Sequence, residues 1–309
     1  MKSTNIPVHT NVDSQAFLSD IYPARNPVIL RNVPIGACTS LWTSEYLQKH
    51  GGTKEVSVHV SPSRNLNFIS RNFIYRTLPF SELVERANKD VQDKFFIEKG
   101  ELYYLRSLGS DQRKKPADIQ EQFPELAKDV QLPNFFPEEA FFSSVLRIAS
   151  PKLCLWTHYD VMDNMLIQVT GRKKAVLFHP NSVEYLYLQG DKSQVTDIEN
   201  PDLVRYPEFL KAEQHVGVLE PGDILFIPAL WFHNMTALDF GVAVNVFWRH
   251  LEGACYEKSD VYGNKDPVPA AKALAHLHKA MRELQQLPTE YREFYGRRMI
   301  EEIKSISMT

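Results

Sequence analysis

Between residues 141 and 248 the chain reads as a series of short β-rich runs, at 144–148, 154–158, 165–169, 175–178, 215–219, 224–227 and 242–247. Turn residues separate them: Ser150-Pro151, Thr170-Gly171, Pro180-Asn181 and Pro221-Gly222-Asp223. Such residues end strands because they supply backbone turns that β-branched residues resist. Many short, evenly punctuated strands predict a barrel or a double-sheet jelly roll. A stretch from 185 to 214, mixing Tyr, Pro and charge, interrupts the series.

The flanks read differently. Residues 1–136 mix β-rich runs at 28–33, 55–60, 95–97 and 102–105 with a helical pattern at 79–88, an α+β part expected to pack on the barrel. Residues 137–250 form the expected core. Beyond it, within 251–309, the period changes: Ala270, Leu274, Leu277, Met281 and Leu284 recur at helical spacing, Pro288 breaks the pattern, and Tyr291, Phe294, Tyr295, Met299, Ile303 and Ile306 resume it. Two amphipathic helices are predicted. Their stripe would pack on the barrel or on a second copy of the chain, giving a homodimer through these helices.

Composition excludes several classes. The longest strongly apolar run, 224–232, is less than half of what spans a bilayer. The N-terminal residues lack the apolar stretch of a secretory signal, and three widely spaced cysteines read as reduced thiols. Together these predict a cytoplasmic or nuclear protein, neither secreted nor in a membrane. A net charge of −3 excludes a promiscuous polyanion binder.

The chemistry concentrates in Leu155-Trp-Thr-His158-Tyr-Asp160-Val-Met-Asp-Asn164. An H-x-D/E triplet alone is weak evidence, since the chain has a second at His250-Leu-Glu252. In a strand, His158 and Asp160 would share a face. A third ligand is His233, which follows a turn, an apolar strand and Pro228. Two His and one carboxylate leave three adjacent metal positions open, which suits non-heme Fe(II) and O2 chemistry. A cation for a carboxylate cosubstrate could come from Arg172, Lys173 or Lys174, and strand alternation alone does not choose among them.

These residues resemble a known family. His158-Tyr-Asp160, Asn164, Lys173, the Pro-Gly-Asp turn leading to Pro228 and His233-Asn, and Val-Asn245-Val-Phe-Trp resemble the JmjC-type, cupin-like Fe(II)/2-oxoglutarate oxygenases. WTHYDVMDN, FIPALWFHN, GACTSLWT, FFSSV and YGNKDP narrow the likeness to the branch that hydroxylates the wybutosine purine of tRNA. The resemblance implies a double-stranded β-helix, a cupin-like jelly roll, mainly β with α. It makes His158, Asp160 and His233 the iron ligands. It also implies that Lys173 and the Tyr104 phenol hold the distal carboxylate of 2-oxoglutarate, while Asn164 and Asn245 face its chelating end. Leu155 departs from the Ser or Thr that many relatives carry there, leaving the hydroxyl contact to Tyr104 or Thr157. The implied reaction uses O2 to hydroxylate the aminocarboxypropyl side chain of a wyosine purine next to the anticodon of phenylalanine tRNA. The same iron centre would serve a protein or histone side-chain hydroxylase or demethylase. A non-catalytic JmjC binding protein would be expected to lack part of the triad or the lysine.

Local charge supports an RNA partner. Windows 56–81, 140–159 and 164–183 contain no acid and carry +8, which leaves −11 for the rest of the chain. Arg64, Arg71, Arg76, Arg147, Lys152, Arg172 and Lys174 would form a basic rim around the metal, joined by residues 113–115 and by exposed Tyr75 or Phe68 as stacking groups. The competing expectation is that these cations pair with acids in the fold.

Overall fold

The structure, a computed structural model, describes residues 2–307. Numbered along the chain, its strands are β1 (Ser3–Asn5), β2 (Val8–Thr10), β3 (Val28–Arg31), β4 (Glu55–Ser61), β5 (Ile74–Pro79), β6 (Leu102–Arg106), β7 (Phe141–Ala149), β8 (Asp163–Thr170), β9 (Lys173–Phe178), β10 (Leu188–Gln189), β11 (Lys192–Ser193), β12 (Gln214–Leu219), β13 (Ile224–Ile227), β14 (Phe232–Ala237) and β15 (Gly241–Trp248). Nine pair in the order β2-β3-β13-β8-β15-β7-β6-β4-β5, and four in the order β1-β12-β9-β14. This is the expected jelly roll.

Alternation explains how the sheets pack. Leu166, Leu225, Ile227 and Ala243 of the large sheet meet Ala175, Leu177, Leu219 and Met235 of the small one in the barrel interior. Residues of the other parity, among them Met165, Ile167, Phe226, Val244 and Trp248, pack instead beneath the N-terminal Phe17, Ile35, Trp42, Leu47, Phe80 and Leu83. The small sheet is covered as well. Val176, Phe178 and Phe232 lie under Leu186, Val195, Ile198, Tyr206 and Phe209, which come from the 185–214 stretch. Strands buried on both faces need apolar residues at both parities, so they read as continuous apolar runs. Each large side chain so buried contributes about 1.5 to 3 kcal/mol.

Four sequence expectations change. The boundary placed at 136/137 falls within a continuous sheet, because β6 pairs with β7 and carries β4 and β5 beyond it. Contacts instead divide the chain into residues 1–250 with 259–264, and residues 251–258 with 265–309. Residues 95–97 form no strand: the buried Glu101 carboxylate accepts hydrogen bonds from the backbone N–H groups of Phe96, Ile97 and Glu98 and bends the segment around itself. Residues 154–158 make only isolated bridges, at Cys154 and His158. The strand they run beside, β14, carries His233 and lies where the sequence pattern predicts none.

The helix expected at 79–88 is Phe80–Ala87, and it buries Phe80, Leu83, Val84 and Ala87 on one face. In the second unit, helices Val268–Leu284 and Thr289–Ser307 flank Pro288. Leu274, Met281, Tyr291, Phe294, Ile303 and Ile306 on them are exposed. Among the described residues no helix is long and apolar enough to cross a membrane. Cys38, Cys154 and Cys255 are free thiols.

Candidate metal centre

One interior face of the barrel gathers the polar residues. Successive side chains on a strand alternate, so β8 presents Asn164 with Leu166, β9 presents Lys173, β14 presents His233 with Met235 and Ala237, and β15 presents Asn245, all lining one inner chamber. The turn before Lys173 depends on Gly171. Its φ is +68°, and a Cβ there would lie 2.2 Å from the Phe240 carbonyl oxygen. The chamber is completed by Tyr104 and Arg147 from the adjoining strands β6 and β7.

His158 and Asp160 reach the chamber's mouth by a less regular route. Cys154 bridges Thr236 and His158 bridges His233, so four steps on one chain oppose three on β14. The extra residue makes a bulge, a device that re-aims side chains beside active sites. Asn234 holds it: its Nδ2 donates to the Leu155 carbonyl at 2.8 Å and to Thr157 Oγ1 at 3.3 Å, and its Oδ1 accepts from the Cys154 thiol. Asp160 is tied from the other side, where the Leu230 N–H donates to its carbonyl. Asn234 stood in the motif beside His233, but nothing in the one-dimensional pattern marked it as a positioning residue.

The bulge brings His158, Asp160 and His233 together with one ligand atom of each within 4.8 Å of the others. His233 Nε2 lies 3.5 Å from an Asp160 carboxylate oxygen. Each imidazole is held the same way. His158 Nδ1 lies 2.9 Å from the Trp156 carbonyl oxygen and His233 Nδ1 lies 3.1 Å from that of Trp231, so each Nδ1 carries the proton and each Nε2 lone pair stays free. Burial and the neighbouring His233 push the His158 imidazole well below its usual range, so it stays neutral as a ligand requires. Burial pushes the Asp160 carboxyl up. A divalent cation would reverse that shift by supplying positive charge.

The remaining polar groups of the inner chamber fit a small dianion. Lys173 is buried and has no acid or hydrogen-bond partner among the described residues. Burial and the Arg147 guanidinium together push its ammonium down to about 7. The Tyr104 hydroxyl accepts a hydrogen bond from Arg147, whose Nε has no partner. Asn245 Nδ2 donates to Asn164 Oδ1 at 3.0 Å, and Asn245 Oδ1 is buried without a partner among the described residues. Thr157 is occupied by Asn234, so of the two hydroxyls offered in place of the departure at Leu155, only Tyr104 lines the chamber.

Beyond the triad opens a second, larger cleft of about 510 Å³. Phe68, Tyr75, Trp156, Phe247 and Tyr262 line it together with His158 and Asp160. Phe68 packs against Trp156 with ring centroids 3.9 Å apart and the ring planes tilted by 40°, and Tyr75 is 56% exposed.

The seven rim cations separate into three groups. Arg64 and Lys174 share Glu199, at 2.7 and 3.0 Å, and Arg172 pairs with Asp239 at 2.8 Å. Arg147 turns inward. Arg71, Arg76 and Lys152 are exposed with no ion pair among the described residues. In the 113–115 loop, Lys114 and Lys115 lie 3.7 Å from Asp111 and Glu121.

Comparison with known proteins places this geometry. Residues 14–253 match the family described as a cupin-like domain. Over 300 residues, 97% of this chain and 92% of the other, the protein is 58% identical to tRNA wybutosine-synthesizing protein 5 of Danio rerio. It is 55% identical to the Homo sapiens protein of that name, covering 96% and 94% of the two chains. A Neurospora crassa tRNA wybutosine-synthesizing protein 4 is 39% identical over 90% of this chain and 23% of its own length. On the jelly roll, on a triad set at its mouth and on these matches, the chain belongs to the cupin-like, JmjC-type domain family.

Proposed function

We propose that this protein is an Fe(II)- and 2-oxoglutarate-dependent hydroxylase of tRNA in wybutosine biosynthesis, acting on the aminocarboxypropyl side chain of the wyosine purine beside the anticodon of phenylalanine tRNA. The observation that carries the reading is the His158, Asp160 and His233 triad, standing between a chamber with an unpaired lysine and a wide aromatic cleft. Relatives alike over nearly the whole chain bear the name of that pathway.

Each residue has a task in this reading. His158, Asp160 and His233 hold Fe(II), and the carbonyls of Trp156 and Trp231 keep both Nε2 atoms aimed at it. Lys173 and Tyr104 take the distal carboxylate of 2-oxoglutarate, with the ammonium recharged by its new partner. Asn164 and Asn245 face the keto-acid end. A ferrous ion held there would supply, with O2 and 2-oxoglutarate, the oxidation of an aliphatic C–H bond to an alcohol, one oxygen atom entering the alcohol and the other the succinate formed as 2-oxoglutarate loses CO2. The barrel walls exclude water from the reacting atoms, and the aromatic cleft stacks an extruded purine.

Exposed Arg71, Arg76 and Lys152 contact the RNA backbone, as Arg64, Arg172 and Lys174 do where their acids release them. The exposed apolar residues of the two C-terminal helices pair with those of a second copy, making a homodimer. A cytoplasmic location follows from the substrate. The test is mass spectrometry of phenylalanine tRNA incubated with the protein, Fe(II) and 2-oxoglutarate. The expected result is the gain of one oxygen atom on the purine beside the anticodon; an unchanged purine with substrate tRNA present would overturn the reading. Light scattering that gives the mass of one chain would overturn the dimer.

A further inference from the structure

The large cleft holds a charge that the triad and the inner chamber do not use. Arg106 stands on β6 two residues after Tyr104 and so on the same face. Its register partner across β6 and β7 is Arg147, so two guanidinium-bearing residues lie side by side. Like charges directly opposite on a sheet repel, yet neither has an acid in ion-pair contact among the described residues. Arg106 is held by a hydrogen bond to the Tyr262 carbonyl at 3.2 Å and by the Tyr262 ring, 5.0 Å from its centroid. One bond leaves most of its five donors free. Arg106 lines the same cleft as His158 and Asp160, where burial and Arg147 push its guanidinium down to about 10. Trp156, in the same cleft wall, also has an indole N–H without a partner.

We infer that Arg106 binds the α-carboxylate of the substrate's side chain, with Arg147 beside it, and so selects tRNA in which that carboxylate is free. The inference rests on the proposed tRNA substrate. In an aminocarboxypropyl chain every aliphatic carbon lies within a few bonds of the carboxylate, so any C–H brought to the metal brings the carboxylate close to it. A cation without a counter-ion is needed there. Phosphates of the RNA backbone are separated from that carbon by the base and the ribose. Arg is the side chain whose planar fork matches a carboxylate with two parallel hydrogen bonds.

The experiment measures dissociation constants of the full-length protein for two phenylalanine tRNAs, one with the free acid on the side chain and one with that acid converted to its methyl ester. Wild-type protein should favour the acid by roughly 10- to 100-fold, the size of a charged hydrogen bond lost on esterification. Arg106→Gln should bind both forms alike, at the wild-type affinity for the ester, and Arg106→Lys should restore part of the preference. A preference that survives Arg106→Gln overturns the assignment. So does an equal weakening of both forms, which would make Arg106 a phosphate contact, and so does a wild-type protein indifferent to the ester. Wild-type protein that prefers the acid but adds no oxygen would sink the hydroxylase reading while supporting this one. Binding of neither form would overturn both.

Discussion

The two faces of strand Lys173–Phe178 give neighbouring lysines opposite surroundings. Lys173 faces the barrel interior, buried with no counter-ion among the described residues, whereas Lys174 faces outward and meets Glu199, which also holds Arg64. An exposed ammonium takes whatever acid is near at small net gain. A buried one left alone costs free energy, and a fold retains that cost where a ligand relieves it. The same contrast separates Arg106 and Arg147 in the cleft from Arg172 at the surface. Burial of a cation without an acid partner, rather than presence of charge, marks the site.

The comparison breaks first at the metal. His158→Ala or His233→Ala should bring 2-oxoglutarate turnover to background, read as succinate release; turnover near the parent rate would leave the interior face without its role. The two lysines come next. Lys173→Ala should raise the KM for 2-oxoglutarate by roughly 10- to 100-fold, the loss of one charged hydrogen-bond partner, while Lys174→Ala should change it by no more than about twofold, as exposed pairs do. Equal effects would erase the distinction between the faces.

A pH experiment sharpens it further. In the folded protein Lys173 loses its proton at about 7, against roughly 10 for a lysine in the unfolded chain. Below pH 7 both states hold the proton and the fold carries a buried, unpaired ammonium. From pH 7 to about 10 only the unfolded chain holds it, so this residue makes stability rise with pH across that window. Binding of a dicarboxylate needs the ammonium, so at pH 8 it should draw a proton from solution, and affinity should fall as pH rises. Calorimetry in buffers of different ionisation enthalpy measures this, and proton uptake equal in wild type and Lys173→Met would assign it elsewhere. The smallest effect belongs to the outer face. Glu199→Gln should cost at most about 1 kcal/mol in thermal unfolding, because of its partners Arg64 is exposed and Lys174 half-buried, with the pairs in reach of solvent. It should also strengthen tRNA binding and its salt dependence by freeing Arg64 and Lys174. Unchanged binding would remove both from the rim.

Much of this was legible in the chain. Strands covered on both sides announce themselves as apolar runs, so β8, β9, β13 and β15 were readable to within a residue or two. The triad residues were readable as a set because His158, Asp160 and His233 sit among turn and aromatic signals. Their geometry was not. A bulge has no composition of its own, and the expected strand at 154–158 fails because Asn234, some 80 residues away, takes the Leu155 carbonyl. β14 escaped notice because its Phe-His-Asn-Met-Thr-Ala lacks the β-branched alternation that marks a strand. Residues 95–97 misled in the opposite sense, with strand-like composition overruled by the Glu101 carboxylate. Alternation left Arg172, Lys173 and Lys174 open and the family resemblance pointed to Lys173; that it faces the chamber follows from the register after the Gly171 turn.

The carbonyl oxygens of Trp156 and Trp231 bear on how this protein is assembled. Each fixes a histidine two residues later along its own chain, so both imidazoles of the candidate metal centre are oriented by local backbone. On the proposed function, metal uptake should then be uncoupled from folding, unlike in small domains that are unfolded without their zinc. A chelator should return an intact barrel. The ion then stabilises only by mass action, according to its concentration relative to its dissociation constant. On the proposed function, a chain of this design is synthesised, folded and stored without its ion, and the supply of iron sets its activity.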